Sequence, residues 1–119
     1  MKNENCIFCK IVAGEIPSVK IWEDEDFIAF ADIKPVGEGH TLIASKKHFN
    51  TLMDLNEKIS EKYINAIKET GKTLMEKYNS QGFNVVLNNG EAAGQVVNHI
   101  HFHLLPRKIG DNKRGIFIG

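Results

Sequence analysis

The stretch NHIHFHLL at residues 98–105 alternates histidine with apolar residues. Side chains on a β-strand point to its two faces in turn, so the stretch predicts a strand with His99, His101 and His103 on one face, about 7 Å apart at each step. The residues between them, which would pack on a helix, are Ile100, Phe102 and Leu104.

Three imidazoles on one strand face indicate chemistry or metal binding more readily than packing. A solvated, histidine-rich face is one alternative, and it is disfavoured because histidine is a poor default strand residue. Coordination of one ion by all three rings is another, although neighbours on a straight strand point in parallel and converge poorly on an ion. The spacing alone leaves these alternatives open.

One long helix is predicted upstream, at residues 56–78, because apolar residues recur there at steps of three and four. Asn56 can cap its first turn. The residues of the predicted buried stripe are Ile59, Tyr63, Ala66, Ile67, Thr70, Leu74 and Tyr78.

The remaining elements are short, and they predict an α+β fold: an antiparallel meander sheet of about five strands, with the long helix and a short N-terminal helix. We expect residues 1–119 to form a single domain. The short helix is predicted at residues 6–13, and the strands at residues 19–22, 27–31, 40–44, 83–87 and 97–105, the last closed by Pro106.

Charge and composition exclude several classes of protein. The 15 Lys and Arg residues balance the 15 Asp and Glu residues, which weighs against binding to nucleic acid or to a membrane surface. No apolar run approaches the ~20 residues of a membrane helix. The N-terminal segment lacks an apolar signal core, so we expect a cytoplasmic location. Zero net charge permits a homodimer.

Cys6 and Cys9 form a Cys-x-x-Cys pair, which is typical of metal binding or redox chemistry. Redox pairs usually follow a strand, and none is predicted before Cys6, so metal binding is favoured. Tetrahedral zinc needs two further ligands, and His99, His48 and His40 are available. Two buried thiols without a metal are the alternative.

The loop at residues 88–95, NNGEAAGQ, is rich in small and amide residues. Such a loop can turn backbone N–H groups towards an anion, and its amide side chains add donors. A phosphate held there would lie beside His101.

The string GQVVNHIHFHLLPR resembles the signature of the histidine triad (HIT) superfamily of nucleotide hydrolases and transferases. Further similar strings are CIFCKI at residues 6–11, EIP at 15–17, FADI at 30–33 and GHTL at 39–42. The resemblance extends over nearly the whole chain up to Arg107. It is strongest to the branch of small, HINT-like proteins that bind purine nucleotides.

The resemblance implies a homodimer whose sheet continues across the interface, with two active sites. It implies that His101 attacks the α-phosphorus of a nucleotide and forms a nucleotidyl-histidine that water then cleaves. His103 would donate to the phosphate oxygens, and His40 would help move the proton to the leaving group. Neutral imidazole is a suitable nucleophile for this chemistry.

The resemblance also implies the nucleotide contacts and a structural zinc ion. Asp32 would accept hydrogen bonds from the ribose hydroxyls. The base pocket would be lined by Ile7, Phe8, Ile16, Phe30 and Ile33. The phosphate would be held by Asn88, Gly94 and Gln95. The zinc ligands would be Cys6, Cys9, His48 and His99.

Two features bear on the substrate, which would be an adenosine phosphoramidate or an acyl-adenylate. Val96 stands where nucleoside phosphoramidases of the family carry a serine. The sequence LPRK at residues 105–108 resembles the branch that hydrolyses dinucleoside polyphosphates, whose longer phosphate chain extra basic groups could contact. Two further hypotheses are a nucleotide-binding regulatory module with little turnover and a redox function of Cys6 and Cys9.

Overall fold

The computed structural model describes residues 4–111. Within the described part of the chain, no helix has the length and hydrophobicity to span a membrane. The elements in chain order are α1 (Ile7–Val12), β1 (Lys20–Glu23), β2 (Phe27–Ala31), β3 (Thr41–Ser45), α2 (Glu57–Tyr78), β4 (Gly82–Leu87) and β5 (His101–Arg107), with short 3-10 turns at Leu52–Asp54 and Glu91–Ala93.

The five strands form one antiparallel sheet in the order β1-β2-β3-β5-β4. The predicted α+β class, with one long and one short helix, is confirmed. The order departs from a simple meander at one place: β5 lies between β3 and β4, because α2 carries the chain past the sheet before β4 begins. His101 is thereby paired with Ala44, and His103 with Leu42, in the middle of the sheet.

Helix α2 covers one face of the sheet with the predicted apolar stripe. The side chain of Asn56 caps its first turn by accepting a hydrogen bond from the Ile59 N–H at 3.0 Å. Its core side packs on alternate residues of the strands, as the period of two requires. The buried residues of this core are Phe27, Ala29, Ile43, Tyr63, Ala66, Ile67, Leu74, Ile100 and Leu104, with Phe102 partly buried against them.

Strand β5 differs from its predicted bounds at both ends. It begins at His101 rather than at residue 97, because the His99 N–H donates to the Val97 carbonyl at 2.9 Å in a tight turn. Pro106 lies within the strand rather than closing it, opposite Phe83 of β4. The pairing of β3 with β5 ends at Leu104, so Pro106 has β4 on one side only, where a missing N–H is tolerated.

Candidate functional site

The second face of the sheet carries the site, under helix α1. Phe8 of α1 is buried there, and its ring lies edge-to-face with the rings of His101 (4.9 Å between centroids) and Phe30 (5.4 Å). The residues of this second core are Cys6, Phe8, Cys9, Ile28, Phe30, Leu42 and Ala44. Packing of α1 on the sheet thus encloses the histidines of β5 in an apolar surround.

His101 is held in one orientation and one tautomer. Its Nδ1 lies 2.7 Å from the His99 carbonyl oxygen, which can only accept, so Nδ1 carries the proton and Nε2 keeps its lone pair. Burial lowers the pKa of His101, and the His99 carbonyl and Asp32 oppose that shift in part. The ring is therefore neutral at pH 7, with the electron pair of Nε2 free to attack an electrophile.

His103, the next residue on the same face, is the last ring in a chain of hydrogen bonds. The Val36 N–H donates to Nδ1 of His40 (3.2 Å), so Nε2 of His40 carries the proton and donates to Nδ1 of His103 (3.0 Å). His103 must then be protonated at Nε2. That buried atom has no partner among residues 4–111, and burial lowers the pKa of His103 to about 4. The Nε2–H of His103 is therefore a neutral donor beside His101 that has no acceptor within the described residues.

Asp32 completes this cluster at the end of β2. Its Oδ2 lies 3.5 Å from Nε2 of His40, and its Oδ1 accepts the Lys34 N–H at 2.9 Å. Asp32, His40 and His103 bring three ligand-type atoms within 4.8 Å of one another. A metal would need the lone pair of His40 Nε2, which carries the proton because Nδ1 accepts from Val36. The cluster is therefore suited to moving protons.

A second cluster, Cys6, Cys9, His48 and His99, has the composition of a zinc site. Nδ1 of His99 lies 3.2 Å from Sγ of Cys6 and 3.6 Å from Sγ of Cys9, and Nδ1 of His48 lies 3.3 Å from Sγ of Cys9. Ligands of tetrahedral zinc with ordinary Zn–S and Zn–N bonds stand about 3.6 Å apart. These atoms thus lie close to the required separation.

The tautomers of this cluster also suit a metal. Nε2 of His99 donates to the Ser45 carbonyl at 2.7 Å, and Nε2 of His48 donates to Oδ1 of Asn50 at 2.9 Å. Both rings therefore direct the lone pair of Nδ1 towards the thiols, as zinc-bound histidines do. Burial raises the pKa of Cys6, and nothing within the cluster supplies the positive charge that two thiolates need. The donor set fits Zn²⁺.

The sequence predicted neither of the groups that accept from Nε2 of His48 and of His99. Asn50 stands two residues after His48, but an asparagine in a polar loop gives no distinguishing signal. The Ser45 carbonyl is a backbone group that every residue has. His40, which the sequence left available as a zinc ligand, belongs to the cluster with Asp32 and His103.

The loop at residues 88–95 is hydrogen-bonded to the segment that follows His48, through Asn89 to the Leu52 N–H and through Gln95 to the Asn50 carbonyl. The N–H groups of Ala93 and Gly94 donate within the loop, as does that of Gln95 to the Gly90 carbonyl. The Gln95 side chain accepts the Gly90 N–H and donates to the carbonyls of Asn50 and Val97. These three N–H groups are engaged within the loop, so a phosphate beside the loop would be bound by its other groups.

The residues expected to line a base pocket have different environments. Phe8 is buried against the His101 ring, Phe30 is buried against Phe8, and Ile16 is half-buried. Ile7 is 45% exposed and Ile33 is 91% exposed. Covering the exposed side chains of Ile7 and Ile33 with an apolar group would lower the free energy by removing them from water.

Comparison with known proteins agrees with this geometry. A family model described as the HIT domain matches residues 13–110. Protein hit of Bacillus subtilis is 43% identical over 104 residues, which is 87% of this chain and 72% of that protein. Adenosine 5'-monophosphoramidase HNT1 of Candida albicans is 40% identical over 119 residues, covering 97% of this chain and 77% of that protein.

Solved structures have the same fold. A zinc-bound histidine triad family protein from Mycobacterium smegmatis superposes with a TM-score of 0.85 at 37% identity, covering 91% of this chain and 78% of that one. Zinc, which that protein binds, is also the ion that fits the cysteine–histidine cluster described above.

Proposed function

This chain belongs to the histidine triad (HIT) family, and we propose that it hydrolyses a nucleoside 5'-phosphate derivative at the α-phosphorus. The proposal rests on one observation: Nδ1 of His101 is bound to the His99 carbonyl, which leaves Nε2 as a neutral nucleophile next to the unused N–H of His103. Relatives named adenosine 5'-monophosphoramidase favour an adenosine phosphoramidate or an acyl-adenylate as substrate.

The reaction has two steps. In the first, Nε2 of His101 forms a bond to the α-phosphorus while the bond from phosphorus to the leaving group breaks, and the leaving group takes up a proton. In the second, water attacks the nucleotidyl-histidine, releases the nucleoside monophosphate, and returns a proton to solvent. Two easier displacements thus replace one difficult one.

Other groups of the site would stabilise and orient the nucleotide. The Nε2–H of His103 would donate to a phosphoryl oxygen as charge develops there, and His40, bound to the other side of that ring, would assist proton transfer to the leaving group. Asp32 would accept from the ribose hydroxyls. The base would lie against Ile7, Phe8, Ile16, Phe30 and Ile33, and the phosphate beside Asn88, Gly94 and Gln95.

A dinucleoside polyphosphate is the weaker substrate candidate. The guanidinium of Arg107 binds both carboxylate oxygens of Asp111 at 2.8 Å and Oδ1 of Asn84 at 2.8 Å. Arg107 lies six positions along the strand from His101, which corresponds to about 20 Å. Arg107 is thus committed at the far end of β5, where it would not meet a phosphate chain bound at His101.

The test measures AMP release from an adenosine 5'-phosphoramidate by wild type and by His101→Gln. We expect turnover by the wild type and loss of at least about a thousandfold in the variant, since the nucleophile is gone. Binding of AMP should remain in the variant. Absence of AMP release by the wild type would contradict the enzymatic proposal, and unchanged AMP binding would then favour the regulatory module.

We further propose that Cys6, Cys9, His48 and His99 hold a structural zinc ion. The ion would bind Nδ1 of both histidines and the two thiolates, and its chemistry would be that of a closed four-ligand site, which links α1 to the start of β5 without taking part in hydrolysis. We expect about one zinc per chain by elemental analysis, and a fall in melting temperature on chelation.

A homodimer is the assembly we propose, with the sheet continuing across the interface. Within residues 4–111, β1 and β4 are the edge strands of the sheet. On β4, Val85 is 44% exposed, and on α2, Ile64 is 57% exposed. Light scattering coupled to size exclusion should give twice the mass of the chain, and a monomer at micromolar concentration would contradict the proposal.

A further inference from the structure

The direction of the hydrogen-bond chain through His40 and His103 is set by a backbone group. The Val36 N–H lies 3.2 Å from Nδ1 of His40. A backbone N–H can only donate, whereas either nitrogen of a neutral imidazole can do both. Val36 is therefore the fixed end of the chain, and the tautomers of the two rings follow from it.

We propose that Val36 is a positioning residue whose N–H directs the proton of His103 towards the bound phosphate, by fixing His40 and then His103 in the Nε2–H tautomer. The identity of the ligand, a nucleotide phosphate, rests on the function proposed above. The tautomers themselves are a property of the nucleotide-free protein.

The reverse arrangement is disfavoured at two places. If Nδ1 of His40 carried the proton, it would face the Val36 N–H, donor against donor, in a buried position. The bare Nε2 of His40 would then face Oδ2 of Asp32 at 3.5 Å, with no proton between two acceptors. Each unmade hydrogen bond of a buried group is costly.

The direction of this hydrogen-bond chain matters because it decides whether Nε2 of His103 carries a proton or a lone pair. In the observed arrangement His103 presents Nε2–H to the site, and that buried atom has no partner within the described residues. In the reverse arrangement Nδ1 of His103 would carry the proton and Nε2 would present a lone pair. A lone pair repels the oxygens of a phosphate, whereas an N–H binds them.

Val36 also suits an experiment, because its side chain is 42% exposed. Val36→Pro removes the N–H, and Val36→Ala keeps it. Replacing Val36 by its α-hydroxy acid analogue removes the N–H and keeps the side chain, which covers the possibility that proline distorts the loop.

The first measurement is ¹⁵N NMR of histidine-labelled protein without nucleotide, which distinguishes protonated from unprotonated ring nitrogens. In the wild type and in Val36→Ala, Nδ1 of both His40 and His103 should be unprotonated. In the two variants without the N–H, Asp32 still favours the Nε2–H form of His40, so a protonated Nδ1 should appear on both rings as a new fraction beside the wild-type tautomer. A protonated Nδ1 of His40 in the wild type, or no change in either of those variants, would overturn the proposal.

The second measurement compares the affinities for AMP and for adenosine. Loss of the Val36 N–H should weaken AMP binding by roughly tenfold, the effect of losing about one hydrogen bond to a charged group, and leave adenosine binding unchanged. Equal weakening of both ligands would indicate a distorted loop and count against the proposal. If the wild type binds neither, the proposed function fails, while the NMR result still decides the tautomers.

Discussion

Asn50 offers a direct way to test how the cysteine–histidine cluster holds its metal. Its Oδ1 accepts the Nε2–H of His48 at 2.9 Å, and its side chain is exposed. Asn50→Ala therefore removes the partner of one ligand without opening a cavity. The backbone carbonyl, which binds Gln95 at 2.7 Å, stays in place.

Loss of such a partner generally weakens metal binding by about 10- to 100-fold. Because Asn50 is exposed, water can replace Oδ1, so the structure favours the lower end, about tenfold or about 1.4 kcal/mol. In Asn50→Asp the carboxylate still accepts from His48, and with its charge the zinc affinity should equal or exceed that of the wild type.

Competition with a chromogenic chelator measures the zinc dissociation constant of all three proteins. A zinc affinity that is lower in Asn50→Ala than in the wild type, and at least equal to the wild type in Asn50→Asp, would support the described tautomer of His48. Equal zinc dissociation constants for Asn50→Ala and wild type would mean that the contact with Asn50 does not hold the His48 ring, contrary to this prediction.

Further predictions concern packing, pH and the metal. Gly71→Ala would place a Cβ 2.4 Å from the ring of Phe83, so denaturant unfolding should show a loss of about 1–3 kcal/mol; Gly82→Ala, where a Cβ meets nothing within 4 Å, is the control and should stay within about 0.5 kcal/mol of the wild type. Because the pKa of His103 falls to about 4 on folding, the unfolded chain binds the proton first as pH falls below about 6.5, so this residue should cost on the order of 2 kcal/mol of stability between pH 7 and pH 5. His103→Gln should lose correspondingly less over that range, and an equal loss in both proteins would contradict the shift. Chelation should lower the melting temperature in the wild type and leave it unchanged in Cys9→Ser, which lacks a ligand; the same fall in both would speak against a bound zinc ion.

The periodicity of the sequence was sufficient to predict the main elements and the faces that they bury. Alternation in NHIHFHLL placed His101 and His103 on one face and Ile100, Phe102 and Leu104 on the face packed against α2. The stripe of α2 was equally clear. The position of β5 between β3 and β4 could not be read in the same way, because strand order depends on where α2 returns the chain to the sheet.

The residues of the cysteine–histidine cluster could be predicted from the sequence, but the backbone conformation at His99 and the tautomers of the rings could not. Cys6, Cys9, His48 and His99 come together as the resemblance implied, but His99 reaches the thiols from a turn rather than from a straight strand. The tautomers depend on the Ser45 and His99 carbonyls and on the Val36 N–H. Almost every residue has the same backbone N–H and carbonyl groups, so the sequence gives no signal for these partners and only the structure could identify them.

Mass spectrometry of a rapidly quenched reaction shows whether Nε2 of His101 attacks phosphorus. During turnover of an adenosine 5'-phosphoramidate, we expect a chain heavier by one adenylyl group, with the added mass located on His101 by peptide mapping and missing from His101→Gln. Turnover with no adenylylated chain at any quench time, or with the adenylyl group on another residue, would contradict this mechanism.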